Sequence, residues 1–240
     1  MDIQTRQEPA KGRAALYVDG FNLYHPIDQS GNHHLKWANL WRLGEILASE
    51  QGLDLVKAVF CTAVPKHMPD KRDRHNKYIA TQIACGVAVM KGHHVPEEEG
   101  KYSEKQSDIN VALSVILDGI DDVYDVAFLL SADSDQVATA HAFNARLAPQ
   151  GKKLIGAIPL DRSFPTDYAG LGVGVVVVTV DHLEAAIMPE QVQGKTGNMI
   201  NRPDSYTPPL GWVHPNDRPK GKPPKAPKKG NWSKSFKAAR

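Results

Sequence analysis

Short apolar runs rich in Val, Leu and Ala alternate along this chain with longer segments in which apolar residues recur at helical spacing. Ala14–Val18 and Tyr124–Leu130 are typical of buried strands, whereas residues 39–51 and 107–120 show the periodicity of helices. Strands that alternate with helices in this way form βαβ units, because a parallel neighbour needs a crossover connection. We therefore predict an α/β fold with a central, mainly parallel sheet of five or six strands and helices on both of its faces.

The other segments continue this alternation. Further strands are expected over Leu53–Thr62, Gly86–Met90, Lys153–Ile158 and Val173–Val180, and further helices over Asp70–Ala84, Gln136–Leu147, Ser163–Leu171 and Asp181–Ile187. Gly92–Tyr102 contains two histidines, a proline and three consecutive glutamates, which predicts a loop. In the helix over residues 107–120, one apolar face is traced by Ile109, Ala112, Leu113, Ile116 and Leu117.

The composition divides the chain into three parts. Residues 12–190 hold all of these strands and helices and are expected to form one domain, and residues 191–213 an extension that packs on it. Residues 214–240 contain nine of the 29 Lys and Arg residues and one acid, so that residues 1–213 carry 20 basic and 26 acidic residues. A tail so rich in Lys and Pro cannot bury a core, which predicts disorder. Whether this tail binds nucleic acid or only aids solubility stays open.

No segment has the pattern of a membrane anchor or a secretion signal. Residues 1–13 are polar, and the longest apolar run, Val173–Val180, is far shorter than the roughly 20 residues that cross a bilayer. We therefore expect a cytoplasmic protein that has no membrane partner.

Four aspartates stand where a predicted strand ends or a predicted helix begins: Asp19, Asp108, Asp133 and Asp135. The carboxyl ends of parallel strands meet at one edge of a sheet, so these carboxylates are expected to converge. A cluster of like charges needs a cation, and clustered oxygen ligands suit Mg²⁺ or Mn²⁺. Taken singly, Asp19 could instead form a turn with Gly20, and Asp108 could simply favour a helix N-terminus.

Metal ions held by carboxylates support phosphoryl transfer, because they activate water and stabilise both the attacking and the leaving oxygen. Residues near the aspartates are candidate substrate contacts. Lys105 could contact a phosphate or remain solvated, and Ser131 and Ser134 could donate to phosphate oxygens or cap the following helix. His25 could contact substrate or serve in packing. A basic cluster that could attract a polyanion, or form a solvated helix face, consists of Lys66, Lys71, Arg72, Arg74 and Lys77.

Three segments around the aspartates have the form of sequence motifs. The first, Tyr17–His25, reads Tyr-Val-Asp-Gly-Phe-Asn-Leu-Tyr-His; the second is Glu104–Leu113; the third, Leu129–Asp135, reads Leu-Leu-Ser-Ala-Asp-Ser-Asp. In order and spacing these segments resemble the motifs of NYN-domain proteins, the LabA-like branch of the PIN-like nuclease superfamily, and the similarity runs from about residue 14 to about residue 190. The resemblance implies a single PIN-like, Rossmann-like domain.

This resemblance also implies a metal-dependent nuclease in which the four aspartates are the catalytic residues and the metal ligands. Asn22 would orient a ligand or the substrate. The chain departs from the family pattern at Ala132, where Gly or Asn is common, and at Gln136, where an apolar residue is common. A further acid that many PIN nucleases carry on a helix has no clear counterpart; Glu104 is the nearest candidate. The site could therefore hold one metal ion or two.

The function expected from these features is that of a ribonuclease, which would hydrolyse phosphodiester bonds of single-stranded RNA with water activated by Mg²⁺ or Mn²⁺. By analogy its products would carry a 5′-phosphate. Two alternatives stay open, a non-catalytic RNA- or protein-binding regulatory module and a small-molecule phosphatase that uses the same acidic edge. The chain could act as a monomer or as a homodimer.

Overall fold

The computed structural model describes residues 11–65, 67–96 and 102–218. Its central sheet has the strand order β4-β3-β2-β1-β5-β6-β7, in which only the β3–β4 pair is antiparallel. The α/β fold with a mainly parallel sheet is thus confirmed. These strands are β1 (Arg13–Asp19), β2 (Asp54–Ala63), β3 (Ala88–Pro96), β4 (Tyr102–Lys105), β5 (Val126–Leu130), β6 (Lys153–Pro159) and β7 (Gly174–Val178).

Helices cover both faces of the sheet. They are α1 (Gly20–Ser30), α2 (Leu40–Glu50), α3 (Pro69–Ala84), α4 (Ser107–Ile120), α5 (Val137–Arg146) and α6 (Val180–Ala185). Buried side chains of α1, α2, α3 and α6 meet one face of the sheet in the first core, and those of α4 and α5 meet the other face in the second core. Along β1, Leu16 and Val18 face the first core and Ala15 and Tyr17 the second, because successive side chains of a strand alternate. Burial on both sides explains why the strands read as unbroken apolar runs.

The residues after α6 pack on the first core. A small antiparallel hairpin joins β8 (Gln191–Gln193) to β9 (Met199–Asn201), and Ile200 and Tyr206 are buried in this core. The start of the predicted disordered tail has structure, since Pro215–Asp217 is a 3₁₀ turn and Arg218 forms an ion pair with Glu184. Residues 219–240 of that tail lie outside the described residues.

Two predictions of local structure are wrong. Ser163–Leu171 is not a helix but holds a single 3₁₀ turn over Thr166–Tyr168, because Pro165 and Ala169 are extended and Gly170 has φ +78°. The loop predicted over Gly92–Tyr102 instead contains the end of β3 and the start of β4, which pair from His93 with Lys105 to Pro96 with Tyr102. Residues 97–101 of that loop lie outside the described residues.

Helix α4 does not bury the apolar face that its spacing traces. Ile109, Leu113 and Leu117 are 60%, 51% and 53% exposed, whereas Val111 and Val115 are buried. The buried side of the helix also carries Asp118, whose carboxylate accepts hydrogen bonds from the Tyr17 hydroxyl at 2.8 Å and from Lys57 Nζ at 2.7 Å. These polar contacts and the adjoining valines therefore orient α4 against the sheet.

Leu113→Ala is expected to change the free energy of unfolding by less than about 0.5 kcal/mol, because this side chain is half exposed. Val115→Ala, on the buried side of the same helix, removes two methyl groups from the second core and should cost about 2 kcal/mol. Urea denaturation of both variants beside the wild type measures the difference. A loss at Leu113 as large as that at Val115 would contradict this orientation of α4.

Within the residues that the structure describes, no helix combines the length and the apolar composition that a bilayer crossing requires.

Candidate metal centre

The junction between β1 and α1 places Asp19 at the carboxyl edge of the sheet. Asp19 is 1% exposed and caps α1, because its Oδ1 accepts hydrogen bonds from the backbone N–H groups of Phe21 at 3.0 Å and Asn22 at 3.2 Å. Gly20 is required here by close packing, since a Cβ at this position would lie 2.8 Å from the carbonyl oxygen of Cys61. The Asp-Gly pair is therefore a strand-to-helix junction rather than an isolated turn.

A chain of hydrogen bonds connects Asp19 to the end of β5. The Asn22 side chain donates to Asp19 Oδ2 at 2.6 Å and accepts from the backbone N–H of Ala132 at 3.1 Å. The buried Ser131 hydroxyl donates to Asp19 Oδ2 at 3.4 Å and accepts from the backbone N–H of Asp133 at 3.2 Å. Asn22 and Ser131 thus contact the carboxylate and its neighbouring loop, and they hold Asp19 and Asp133 in a defined relative position.

Three of the four predicted aspartates meet. Asp19, Asp108 and Asp133 each present a carboxylate oxygen, and these oxygens lie within 4.8 Å of one another. Asp135 does not belong to this group: it is exposed, and its backbone N–H donates to Asp133 Oδ1 at 3.0 Å. We refer to the first three residues as the carboxylate cluster.

Burial, and to a lesser extent the nearby charge of Asp108, raise the pKa of Asp19 to about 6, against the hydrogen bonds from Asn22 and Phe21 that lower it. The cluster therefore holds one carboxylate whose charge is costly without a cation. The donor set fits Mg²⁺ or Mn²⁺, which prefer carboxylate oxygens. Two oxygens on opposite sides of Mg²⁺ lie about 4.2 Å apart, twice its bond length of about 2.1 Å, so carboxylates this close can share one ion after small shifts.

Gln136 is a residue of this site to which the sequence analysis assigned no role. Its side chain is 2% exposed. Its Nε2 donates to the carbonyl oxygen of Asp108 at 3.1 Å, and its Oε1 accepts from the Thr139 hydroxyl at 2.8 Å. Gln136 thereby joins the start of α4 to the start of α5. A buried apolar side chain at this position could not make these bonds.

Gln136→Leu is expected to weaken Mn²⁺ binding by roughly tenfold, because the loss of a residue that orients a ligand typically costs 10–100-fold in affinity. Isothermal titration with Mn²⁺ measures this effect. Gln82→Leu is a matched control: Gln82 is buried near the end of α3, and its side chain accepts from the backbone N–H of Leu40 at 2.9 Å and donates to the Ala38 carbonyl at 2.9 Å. An equal loss of Mn²⁺ affinity in both variants would show that destabilisation alone is responsible.

The other predicted contacts lie outside the cluster. Lys105 is exposed at the end of β4, and Ser134 is exposed in the 3₁₀ turn that precedes α5. His25 is exposed on α1, with its ring centroid 5.7 Å from that of Phe21. Glu104, the candidate for the further acid, lies on β4 and not on a helix.

Comparison with known proteins bears on the fold. A crystal structure of a protein of unknown function from Vibrio parahaemolyticus is similar, with a TM-score of 0.52 and 19% sequence identity over 72% of this chain and 97% of that chain. At this identity the likeness shows the fold alone. No protein-family model and no curated protein matches the chain.

Proposed function

We propose that this protein is a divalent-metal-dependent nuclease of the NYN type that hydrolyses phosphodiester bonds of single-stranded RNA. The observation that carries the proposal is the carboxylate cluster. Its three members come from segments up to 114 residues apart in sequence and meet at the carboxyl edge of a mainly parallel sheet. Ligands bind at this edge in open α/β folds. The ordered resemblance of the same segments to NYN motifs supports the choice of RNA as substrate.

Asp19, Asp108 and Asp133 would hold Mg²⁺ or Mn²⁺. When bound, such an ion activates water for attack on phosphorus and offsets the negative charge of the phosphate. The residues of the chain have separate tasks in this scheme. Asn22 and Ser131 hold the Asp19 carboxylate in one orientation through bonds of 2.6 Å and 3.4 Å, so little reorganisation is needed when substrate binds.

The less buried carboxylates of the cluster face the substrate. Asp133 is only half-buried, and one of its oxygens accepts from the backbone N–H of Asp135. A carboxylate that is accessible and already oriented in this way can accept a proton from the attacking water. We assign this task to Asp133, and by analogy with PIN-like nucleases the product would carry a 5′-phosphate.

The purified chain on end-labelled single-stranded RNA tests the proposal. We expect cleavage with Mn²⁺ or Mg²⁺ and none after chelation by EDTA, with 5′-phosphate ends on the products. Binding of RNA without turnover at any metal concentration would favour a regulatory binding module instead. Hydrolysis of simple phosphomonoesters without cleavage of RNA would identify a phosphatase.

A further inference from the structure

A cavity of about 210 Å³ lies beside the carboxylate cluster at the same edge of the sheet. The end of β2, at Thr62 and Ala63, lines it together with residues of α1 and α3. Gly20, the first residue of α1 and the neighbour of Asp19, lines the cavity. Because Asp19 pairs in register with Cys61, the residue before Thr62, the cavity and the cluster occupy adjoining positions on neighbouring strands.

The α3 side of this cavity is basic. Lys71, Arg74 and His75 line it, and no Asp or Glu is found among its described lining residues. In the part of the chain that the structure describes, neither Lys71 nor Arg74 has an ion-pair partner, whereas Arg72 on the same helix pairs with Asp73 at 3.0 Å. Two cations that face a cavity without a carboxylate are suited to a phosphate group.

The α1 side is aromatic. Phe21, Tyr24 and His25 line the cavity at a spacing that places them on one side of the helix, and the ring centroids of Tyr24 and His25 are 5.6 Å apart. Tyr206, from the segment after β9, is 9% exposed and also lines the cavity. Aromatic side chains are the platforms on which proteins stack unpaired bases.

We propose that this cavity binds one unpaired nucleotide of the substrate strand, with its base against Phe21 and His25 and a phosphate on Lys71 and Arg74. The inference rests on the proposed nuclease function, because it makes the cavity the subsite that positions the neighbouring phosphodiester over the carboxylate cluster. Pockets for drug-sized ligands begin at about 300 Å³. A cavity of about 210 Å³ lies below this range, which excludes a segment longer than one nucleotide.

Isothermal titration of the full chain with adenosine 5′-monophosphate tests the inference. The buffer contains EDTA, so that no metal contributes to binding. Adenosine and inorganic phosphate are titrated separately. We expect the mononucleotide to bind more tightly than either fragment. Lys71→Ala should raise its dissociation constant roughly fivefold through loss of a charge-assisted contact. His25→Ala should raise it roughly tenfold through loss of stacking.

Lys77→Ala is the matched control, since Lys77 is an exposed lysine of α3 that does not line the cavity. We expect it to change the dissociation constant by less than about twofold, as a distant surface charge is largely screened. Equal losses for Lys71→Ala and Lys77→Ala would overturn the inference in favour of diffuse charge. A mononucleotide affinity no better than that of phosphate would also overturn it.

The nuclease proposal and the nucleotide subsite can fail separately. Mononucleotide binding in EDTA that depends on Lys71 and His25, together with no RNA cleavage in Mn²⁺, would retain the subsite and reject the nuclease. Metal-dependent cleavage by a chain that binds no mononucleotide would reject the subsite and retain the nuclease.

Discussion

The Asp133→Asn variant is expected to lose at least about a thousandfold in the rate of metal-dependent RNA cleavage, which corresponds to about 4 kcal/mol of transition-state stabilisation. The substitution keeps the size of the side chain but removes one of the three carboxylates that converge within 4.8 Å. It also removes the group that we assign to accept the proton. Losing an outer residue that only orients a ligand costs 10–100-fold, so losing a ligand should cost more. Single-turnover cleavage of labelled RNA at saturating Mn²⁺ measures the rate.

Two further Asp→Asn variants make this result specific. Asp121→Asn changes an exposed aspartate just beyond the end of α4 that lies outside the cluster, and its cleavage rate should match that of the wild type within about twofold. Asp135→Asn tests whether Asp135 is a metal ligand. The resemblance to NYN domains implies that it is, whereas the structure groups only Asp19, Asp108 and Asp133. We expect the Asp135→Asn variant to lose less than about tenfold, the lower range for residues that orient a ligand. Equal cleavage by Asp133→Asn and the wild type would reject the assigned site.

Acidification below about pH 6 is expected to weaken Mn²⁺ binding by roughly tenfold for each pH unit, because a proton then competes with the metal for Asp19. This prediction follows from the burial that raises the pKa of Asp19 to about 6, with the Asp108 charge as a further cause. Titration of Mn²⁺ between pH 5 and pH 8 measures the affinity. An affinity that stays constant down to pH 5 would show that Asp19 is not a ligand or that its pKa is not raised.

The raised pKa of Asp19 should also make the metal-free protein less stable as the pH rises. A carboxyl group whose pKa is higher in the folded state stabilises that state fully below its unfolded pKa of about 4, and this contribution is lost as the pH rises through about 6. The difference between the folded pKa of about 6 and the unfolded pKa of about 4 corresponds to about 3 kcal/mol. The free energy of unfolding of the wild type, relative to Asp19→Asn, should therefore fall by about this amount between pH 4 and pH 7.

Urea denaturation of both proteins in EDTA at each pH measures this difference, and contributions from groups that do not interact with Asp19 cancel in the comparison. Addition of Mn²⁺ at pH 7 should restore stability to the wild type by mass action and leave Asp19→Asn unchanged. A pH-independent difference between the two proteins would contradict the cost assigned to the buried Asp19 charge.

Local sequence patterns were sufficient to predict most strands and helices. They were insufficient where the structure of a segment depends on a partner that is distant in sequence. The strand at Val126–Leu130 is apolar throughout because both of its faces are buried, and this burial is visible in the residue types alone. The antiparallel strand β4 was missed, since its pairing of His93 with Lys105 across a chain reversal leaves no mark in residue periodicity. The helix predicted over Ser163–Leu171 failed because extended residues flank its single turn.

The site divides in the same way. Asp19, Asp108 and Asp133 were recognisable because each follows an apolar strand or begins a helix, and strand ends of this fold share an edge. The residues that hydrogen-bond to these aspartates could not be recognised from the sequence. Whether Ser131 contacts substrate or a carboxylate, and whether Gln136 reaches Asp108, depends on side chains that become neighbours only in the folded chain.

The order of residue types along this chain was enough to determine an α/β fold and the edge at which acidic residues would gather, because strand and helix periodicities are local properties. Only the tertiary structure decided that Asp135 lies outside the carboxylate cluster, that α4 exposes Leu113 and buries Val115, and that Lys71 faces a cavity beside Gly20. Each of these outcomes depends on the packing of segments far apart in sequence, which no local pattern encodes.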